Sequence, residues 1–341
     1  GKVIESVDAY TSLRCVSKVR DADGYNRIAL NGSPLFQFGP LDQGWWPDGL
    51  YTAPTEEAMV WDIVKTKEMG FNMIRKHIKV EPANWYYWCD VHGMLVWQDM
   101  PNIADHHGPR SLKNGRFRPF GEDRWFTNRS DELVKAQTNG WSRDSFIGGT
   151  DCDVPQEWKD NYYREWTNII NSLKVFNCIT VWVPFNEAWG QFDTERAVEL
   201  TRRLDPTRLV NEASGGNFAL CGDIQDVHRY PSPMMNAFDR RMINVIGEYG
   251  GIGYPVYGHL WVISENNWGY GEVMSSGEQV LDQYEKYAQR LKLLKQTGVS
   301  AAVYTQTTDV EVEVNGLITY DRKVVKVDTQ RMAEINRSVI E

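Results

Sequence analysis

No stretch of this sequence reaches the roughly 18 consecutive apolar residues of a membrane-spanning helix, so no membrane partner is expected. A dense Lys/Arg run is missing too. Asp239-Arg240-Arg241 is the nearest approach to one, and the 341-residue chain carries a formal net charge of -9. Binding a polyanion requires a basic stripe that displaces counterions, which excludes nucleic acid as a partner. The five cysteines, Cys15, Cys89, Cys152, Cys178 and Cys221, include no Cys-x-x-Cys pair. Zinc-ribbon and dithiol chemistry are thereby unsupported, and buried free thiols are the expectation. No Gly-x-Gly-x-x-Gly follows the first strand of the main repeat, so no dinucleotide or other cofactor is expected. The chain also starts at Gly1 without an initiator methionine. It reads as trimmed, and a periplasmic or secreted location is expected.

Aromatic residues are plentiful, with 14 tryptophans and 16 tyrosines, and 42% of residues are hydrophobic. A chain of this length and composition can bury a large core. Flat aromatic faces with polar tips also suit the apolar faces and hydroxyls of sugar rings, so the composition leans towards an oligosaccharide or polysaccharide substrate.

Residues 1–33 read as β, with strands at Ala9–Val16 and Arg27–Leu30 and turn signals at Asp21-Ala22-Asp23-Gly24 and Asn31-Gly32. That is too little to fold alone. From residue 34 to 341 the pattern alternates. Leu35–Gly39 is a first strand, and the segment opened by Pro54-Thr55-Glu56-Glu57 is a helix stopped by Gly70. Strands at 71–77, 94–97, 181–187, 209–212, 224–230, 243–251 and 301–307 follow, with helices predicted at 82–93, 156–176, 194–204, 277–297 and 329–340. The polar stretch 100–155 is long for a structureless loop, which suggests a functional one. Eight strands alternating with helices predict an α/β fold, a (β/α)₈ barrel, with a doubly wound open sheet as the alternative.

In such a barrel the active site is built at the C-terminal ends of the strands. The second strand there offers Arg75 and His77, the third Asp99, the fourth Asn186 and Glu187, the sixth His228 and Tyr230, the seventh Glu248, and the eighth Gln306. Two carboxylates on strands four and seven face one mouth and can flank one bond. A pair about 5–5.5 Å apart performs retaining glycoside hydrolysis. Arg75 and the Tyr230 hydroxyl would hold Glu248 ionised as a nucleophile, while Glu187, beside Trp182 or Trp189, would keep its proton as the acid. The structural alternative for Arg75 is an ion pair with Asp99, and for His228 a hydrogen-bonded place on the rim. Asp105-His106-His107 lacks a zinc-type spacing, so no metal is expected.

At these positions the chain resembles glycoside hydrolase family 2, retaining exo-β-glycosidases whose barrel follows a sugar-binding β-sandwich and an immunoglobulin-like domain. The marks are Leu30-Asn31-Gly32-Ser33-Pro34-Leu35, Gly70-Phe71-Asn72-Met73-Ile74-Arg75, Trp88-Cys89-Asp90 through Trp97-Gln98-Asp99, Asn186-Glu187 and Gly247-Glu248-Tyr249-Gly250. The resemblance implies that Glu187 is the acid/base, Glu248 the nucleophile, Asn186 the partner of the sugar 2-hydroxyl, and Tyr230 a donor to the nucleophile. His228-Arg229-Tyr230 is similar to the His-x-Tyr of the wider barrel clan. Residues 1–33 would be the end of a preceding immunoglobulin-like domain or a linker, with the sugar-binding domain absent. Two departures bear on specificity. Family β-glucuronidases carry Asn-x-Lys near the barrel's end, whereas Val314-Asn315-Gly316-Leu317-Ile318-Thr319 has the asparagine without the lysine. Strand eight, Val303-Tyr304-Thr305-Gln306, lacks the family's tryptophan. Trp97-Gln98-Asp99 is similar to β-mannosidases, whose sequence around the acid/base differs. The expectation is β-galactosidase-like exo-activity, with β-glucuronidase or β-mannosidase specificity, or a non-catalytic carbohydrate-binding protein on this scaffold, as alternatives.

Overall fold

A computed structural model describes residues 3–7, 9–101, 154–187, 190–215, 218–235 and 238–341. The polar stretch after Asp99, with Asp105-His106-His107 and Cys152, falls largely outside these residues, as does Trp189. A small antiparallel sheet comes first, formed by β1 (Val16–Arg20), β2 (Asn26–Leu30) and β3 (Ser33–Pro34). The strand expected at Ala9–Val16 therefore begins where the other was to end. Most of residues 9–15 are exposed, and their alternation finds no partner strand among the described residues; pairing starts at Val16↔Leu30.

Eight parallel strands then form the barrel: β4 (Gln37–Asp42), β5 (Met73–Lys76), β6 (Leu95–Asp99), β7 (Ile179–Val183), β8 (Leu209–Val210), β9 (Ile224–Arg229), β10 (Ile243–Gly250) and β11 (Val299–Thr305). Their order is β8-β7-β6-β5-β4-β11-β10-β9. Between β8 and β9 an Asn211–Ile224 bridge and the bond from Asp223 N–H to Val210 O (2.8 Å) bring the ends together. The sheet is thus a nearly closed (β/α)₈ barrel, not an open one. Helices α1 (Glu56–Glu68), α2 (Ala83–His92), α3 (Gln156–Leu173), α4 (Thr194–Leu204), α5 (Gly277–Gln296) and α6 (Thr329–Ile340) cover it. Local chemistry sets their ends. Thr55 caps α1 by accepting from Ala58 N–H, and Gly93 takes the left-handed conformation (φ 62) that closes α2. Among the described residues no helix follows β8 or β9.

Side chains alternate across each strand, and that alternation aims the chemistry. Met73, Trp97, Val181, Val183, Ile224, Val245, Ala301 and Val303 fill the barrel interior, with Val16 and Ile28 of the small sheet packed beneath. Two residues further along the same inward files stand Arg75, Asp99, Asp226 and Thr305. The outward files, such as Ile74, Val96 and Trp182, pack under the helices. The small sheet is tied to the barrel base: Asn26 donates to Arg240 O and Met242 O, Arg27 to Val299 O, and Ser300 Oγ accepts from Ile28 N–H.

Strand β10 breaks the alternation once. Ile246 pairs with Val227, but the next pair is Glu248 with His228, so Gly247 is an extra residue in a bulge. Ile246 and Tyr249 both face the outer core although three residues apart, and Glu248 is thereby rotated into the mouth. Gly247 is required there because a Cβ would lie 2.1 Å from Asp226 Oδ2, which Asn211 and Ser214 hold in place. Gly247→Ala is expected to cost about 1–3 kcal/mol by overpacking. A thermal melt checks this, and an unshifted Tm would show that the bulge yields freely.

Candidate active site

Arg75 is the hub of the mouth and is fully buried. Its guanidinium makes a two-pronged pair with Asp99 (Nε to Oδ1 3.1 Å, NH2 to Oδ2 2.8 Å). It also donates to Asn186 Oδ1 at 2.6 Å, to Glu248 Oε1 at 3.2 Å and to Gly247 O at 3.0 Å. One planar fork thus joins β5, β6, β10 and the end of β7. Burial acts to lower the Arg75 pKa, but Asp99 and Glu248 outweigh it and raise the group. Burial likewise acts to raise Asp99, and Arg75 with His77 holds it below the usual carboxylate range.

Glu248 receives a second donor on its other oxygen, the Tyr230 hydroxyl at 2.7 Å, and Tyr230 also meets Thr305 Oγ1 at 2.5 Å. Across the mouth, Glu187 stands just beyond β7 with φ 54, a left-handed conformation uncommon for a residue with a side chain. Its N–H donates to Ser214 O at 2.6 Å. Its side chain is 31% exposed against 9% for Glu248, so Glu187 is the more solvent-facing carboxylate.

His228 lies between the two. Its Nδ1 is 3.1 Å from Glu187 Oε1 and 3.4 Å from Glu248 Oε2. The Ser214 hydroxyl donates to Asp226 Oδ2 at 2.6 Å, so at its 2.7 Å contact with His228 it accepts from Nε2–H. Nδ1 then faces carboxylates on its own side. Burial lowers the imidazole pKa, but Glu248 and Glu187 more than reverse this, and His228 is raised above its ordinary value. Ligand atoms of Glu187, His228 and Glu248 all lie within 4.8 Å of one another. Such a trio can hold a divalent ion, and it equally sets two carboxylates around a gap that one bond can occupy.

A family model described as "Glycosyl hydrolases family 2, TIM barrel domain" matches residues 52–332. The chain belongs to glycoside hydrolase family 2. Among curated relatives, this family 2 barrel is 29% identical over 148 residues to a mannosylglycoprotein endo-beta-mannosidase of Lilium longiflorum, covering 41% of this chain and 15% of that protein. It is 24% identical over 207 residues to a beta-galactosidase of Photobacterium profundum, covering 61% and 16%. The chain therefore spans about a sixth of those relatives' length. Among solved structures, the Parabacteroides merdae beta-glucuronidase superposes with a TM-score of 0.59 at 16% identity, covering 96% of this chain and 39% of that one. A GH2 beta-galacturonidase from Eisenbergiella tayi gives 0.60 at 16%, covering 95% and 54%. These likenesses are of fold.

The family 2 barrel gathers most residues singled out from the sequence. Arg75, Asp99, Asn186, Glu187, His228, Tyr230 and Glu248 form one connected group, with His77 bonded to Asp99 Oδ2 at 3.3 Å. The amide of Gln306 bonds Gln43, Glu313 and Asn315, so this residue belongs to the adjoining wall. Trp182 is not beside Glu187. It lies on the outward file of β7, against Trp166, with its indole N–H on Asp205. Cys89 and Cys178 are buried free thiols, as expected, but Cys15, just before β1, is exposed. Sequence reasoning missed Asp226 and Ser214, which carry His228. Asp226 was detectable, standing two residues before His228 on the same inward file; Ser214, in a loop, carried no such signal.

Proposed function

We propose that the barrel is a retaining exo-β-glycosidase of β-galactosidase-like specificity. Membership of a glycosidase family supplies the reaction class and a carbohydrate substrate; the β-galactosidase-like specificity rests on the sequence resemblance, with Asn315-Gly316-Leu317 lacking the lysine of the β-glucuronidases, and the retaining mechanism rests on one observation. Oxygens of Glu187 and Glu248 lie within 4.8 Å of one another. So close an approach suits the about 5–5.5 Å carboxyl spacing of retaining enzymes better than the about 6.5–9.5 Å that inverting enzymes keep open for water.

In this reading an oxygen of Glu248 attacks the anomeric carbon as Glu187 gives its proton to the departing glycosidic oxygen, leaving a glycosyl ester. Glu187 then takes a proton from water, the water oxygen bonds to the anomeric carbon, and Glu248 leaves as a carboxylate. Arg75 and Tyr230 keep both Glu248 oxygens solvated by donors, as an ionised nucleophile requires. Arg75 occupies Asn186 Oδ1, which leaves the amide NH₂ to donate to the sugar 2-hydroxyl. His77 extends the substrate-facing wall, Asp99 is buried behind it and holds His77 and Arg75 in place, and residues 1–33 are read as the end of a preceding immunoglobulin-like domain.

A panel of aryl β-glycosides tests this. Glu187→Ala is expected to slow substrates with poor leaving groups by about a hundredfold more than activated aryl glycosides, because only the former need the proton. Equal losses on both would remove Glu187 from the acid/base role. Sugar binding with no turnover by the native chain would favour the non-catalytic alternative.

A further inference from the structure

A third carboxylate stands on the wall adjoining the pair and has no part in the chemistry above. Glu313, on the loop after β11, bridges to Trp268 on the loop after β10. Its Oε2 accepts from Gln306 Nε2 at 2.7 Å, and Gln306 Oε1 accepts from Gln43 Nε2 at 2.9 Å. The carboxylate is therefore fixed by residues just past the C-terminal ends of β11 and β4. It stands within electrostatic reach of Glu248 and His77, and of Tyr270, whose ring stacks on Tyr230 at 3.6 Å. Burial, with repulsion from Glu248, raises its carboxyl above the ordinary value, whereas Gln306 lowers it. Asn315, fully buried, accepts from the same Gln306 Nε2 at 2.8 Å.

We infer that Glu313 makes this pocket select uncharged glycones and turn uronides away, an inference that rests on the glycosidase reading. A sugar hydroxyl can donate to Glu313. A uronate carboxylate cannot, and it would add a negative charge to a mouth already holding the carboxylates of Glu248 and Glu313. Arg75, beneath them, is already shared between Asp99 and Glu248, and His228 is already engaged by Glu187 and Glu248. Solved structures of similar fold include a beta-glucuronidase and a beta-galacturonidase, so the preference comes from this chain's own charges, not from the shared barrel.

The test compares aryl β-galactoside and β-glucoside with aryl β-glucuronide and β-galacturonide bearing one leaving group, on the native chain and on Glu313→Gln. Glutamine keeps an acceptor for Gln306, so Tm should hold. Expected is a native kcat/KM preference for the better neutral substrate of about a hundredfold, reduced by about tenfold in Glu313→Gln, the scale of one like-charge contact in a partly buried site. Equal native use of uronides, or an unchanged ratio in the variant, overturns the inference. If no glycoside turns over, the hydrolase reading fails separately. Tryptophan-fluorescence titrations with galactose and galacturonate then read the same selectivity as a ratio of Kd values, with the same two outcomes deciding it.

Discussion

Glu248→Gln is expected to lower kcat on every aryl β-glycoside by at least about ten-thousand-fold while leaving Tm within a few degrees. A carboxamide cannot form the glycosyl ester, and losing covalent catalysis outright costs on the order of 5 kcal/mol of barrier. The fold should tolerate the change because each donor keeps an acceptor. Arg75 NH1 still meets a carbonyl oxygen, and the amide NH₂ can donate to the Tyr230 hydroxyl, which turns to Thr305 Oγ1. A second variant separates chemistry from damage. In Glu248→Ala the cleared space lies beside the Arg75 guanidinium, and azide or formate entering it should restore turnover of activated glycosides. Azide would leave an α-glycosyl azide, since attack from the nucleophile's side inverts the centre once. Activity within tenfold of native in Glu248→Gln, or a β-configured azide adduct, would dismiss Glu248 as nucleophile.

The barrel was legible because its strands are short apolar runs joined to amphipathic helices by glycine stops. Gly70, Gly93 and Gly298 each close a helix and release the next strand. What lay beyond reach was the direction of single side chains. Plain alternation from Val245 would send Glu248 outwards, and only the bulge at Gly247 brings it to the mouth. Trp182 erred in the opposite sense, standing near Glu187 in sequence but on the outward face. Glu212 shows the limit for carboxylates. It too ends an apolar strand run, yet it is fully buried, and its oxygens accept from the N–H groups of Ala219, Leu220, Cys221 and Gly222 at 2.7–2.8 Å. A glutamate that caps a loop and one that faces a substrate look alike until the loop has folded.

Arg75 carries the largest expected effect on stability. Arg75→Met keeps much of the volume but leaves Asp99, 0% exposed, without its counter-charge. Breaking a buried pair in this way costs about 3–5 kcal/mol, which should lower Tm by about 4–7 °C in a chain of this length. The pH dependence follows from Asp99. Its native pKa is held low by Arg75, so the pair's contribution is present above the ordinary carboxylate value and is lost as pH falls through the depressed native one. The stability gap between native and variant should therefore be widest near neutrality and close below about pH 4, where the unfolded Asp99 is protonated. Activity should fall by about a hundredfold or more, since Asn186 and Glu248 lose the group that positions them. Arg75→Lys sharpens the test: one compact charge can pair with Asp99 but cannot span Asp99, Asn186 and Glu248 together. Lysine is expected to recover part of the stability and little of the activity. Recovery of both would mean that charge alone, and not the fork shared by three strands, holds the two carboxylates in place.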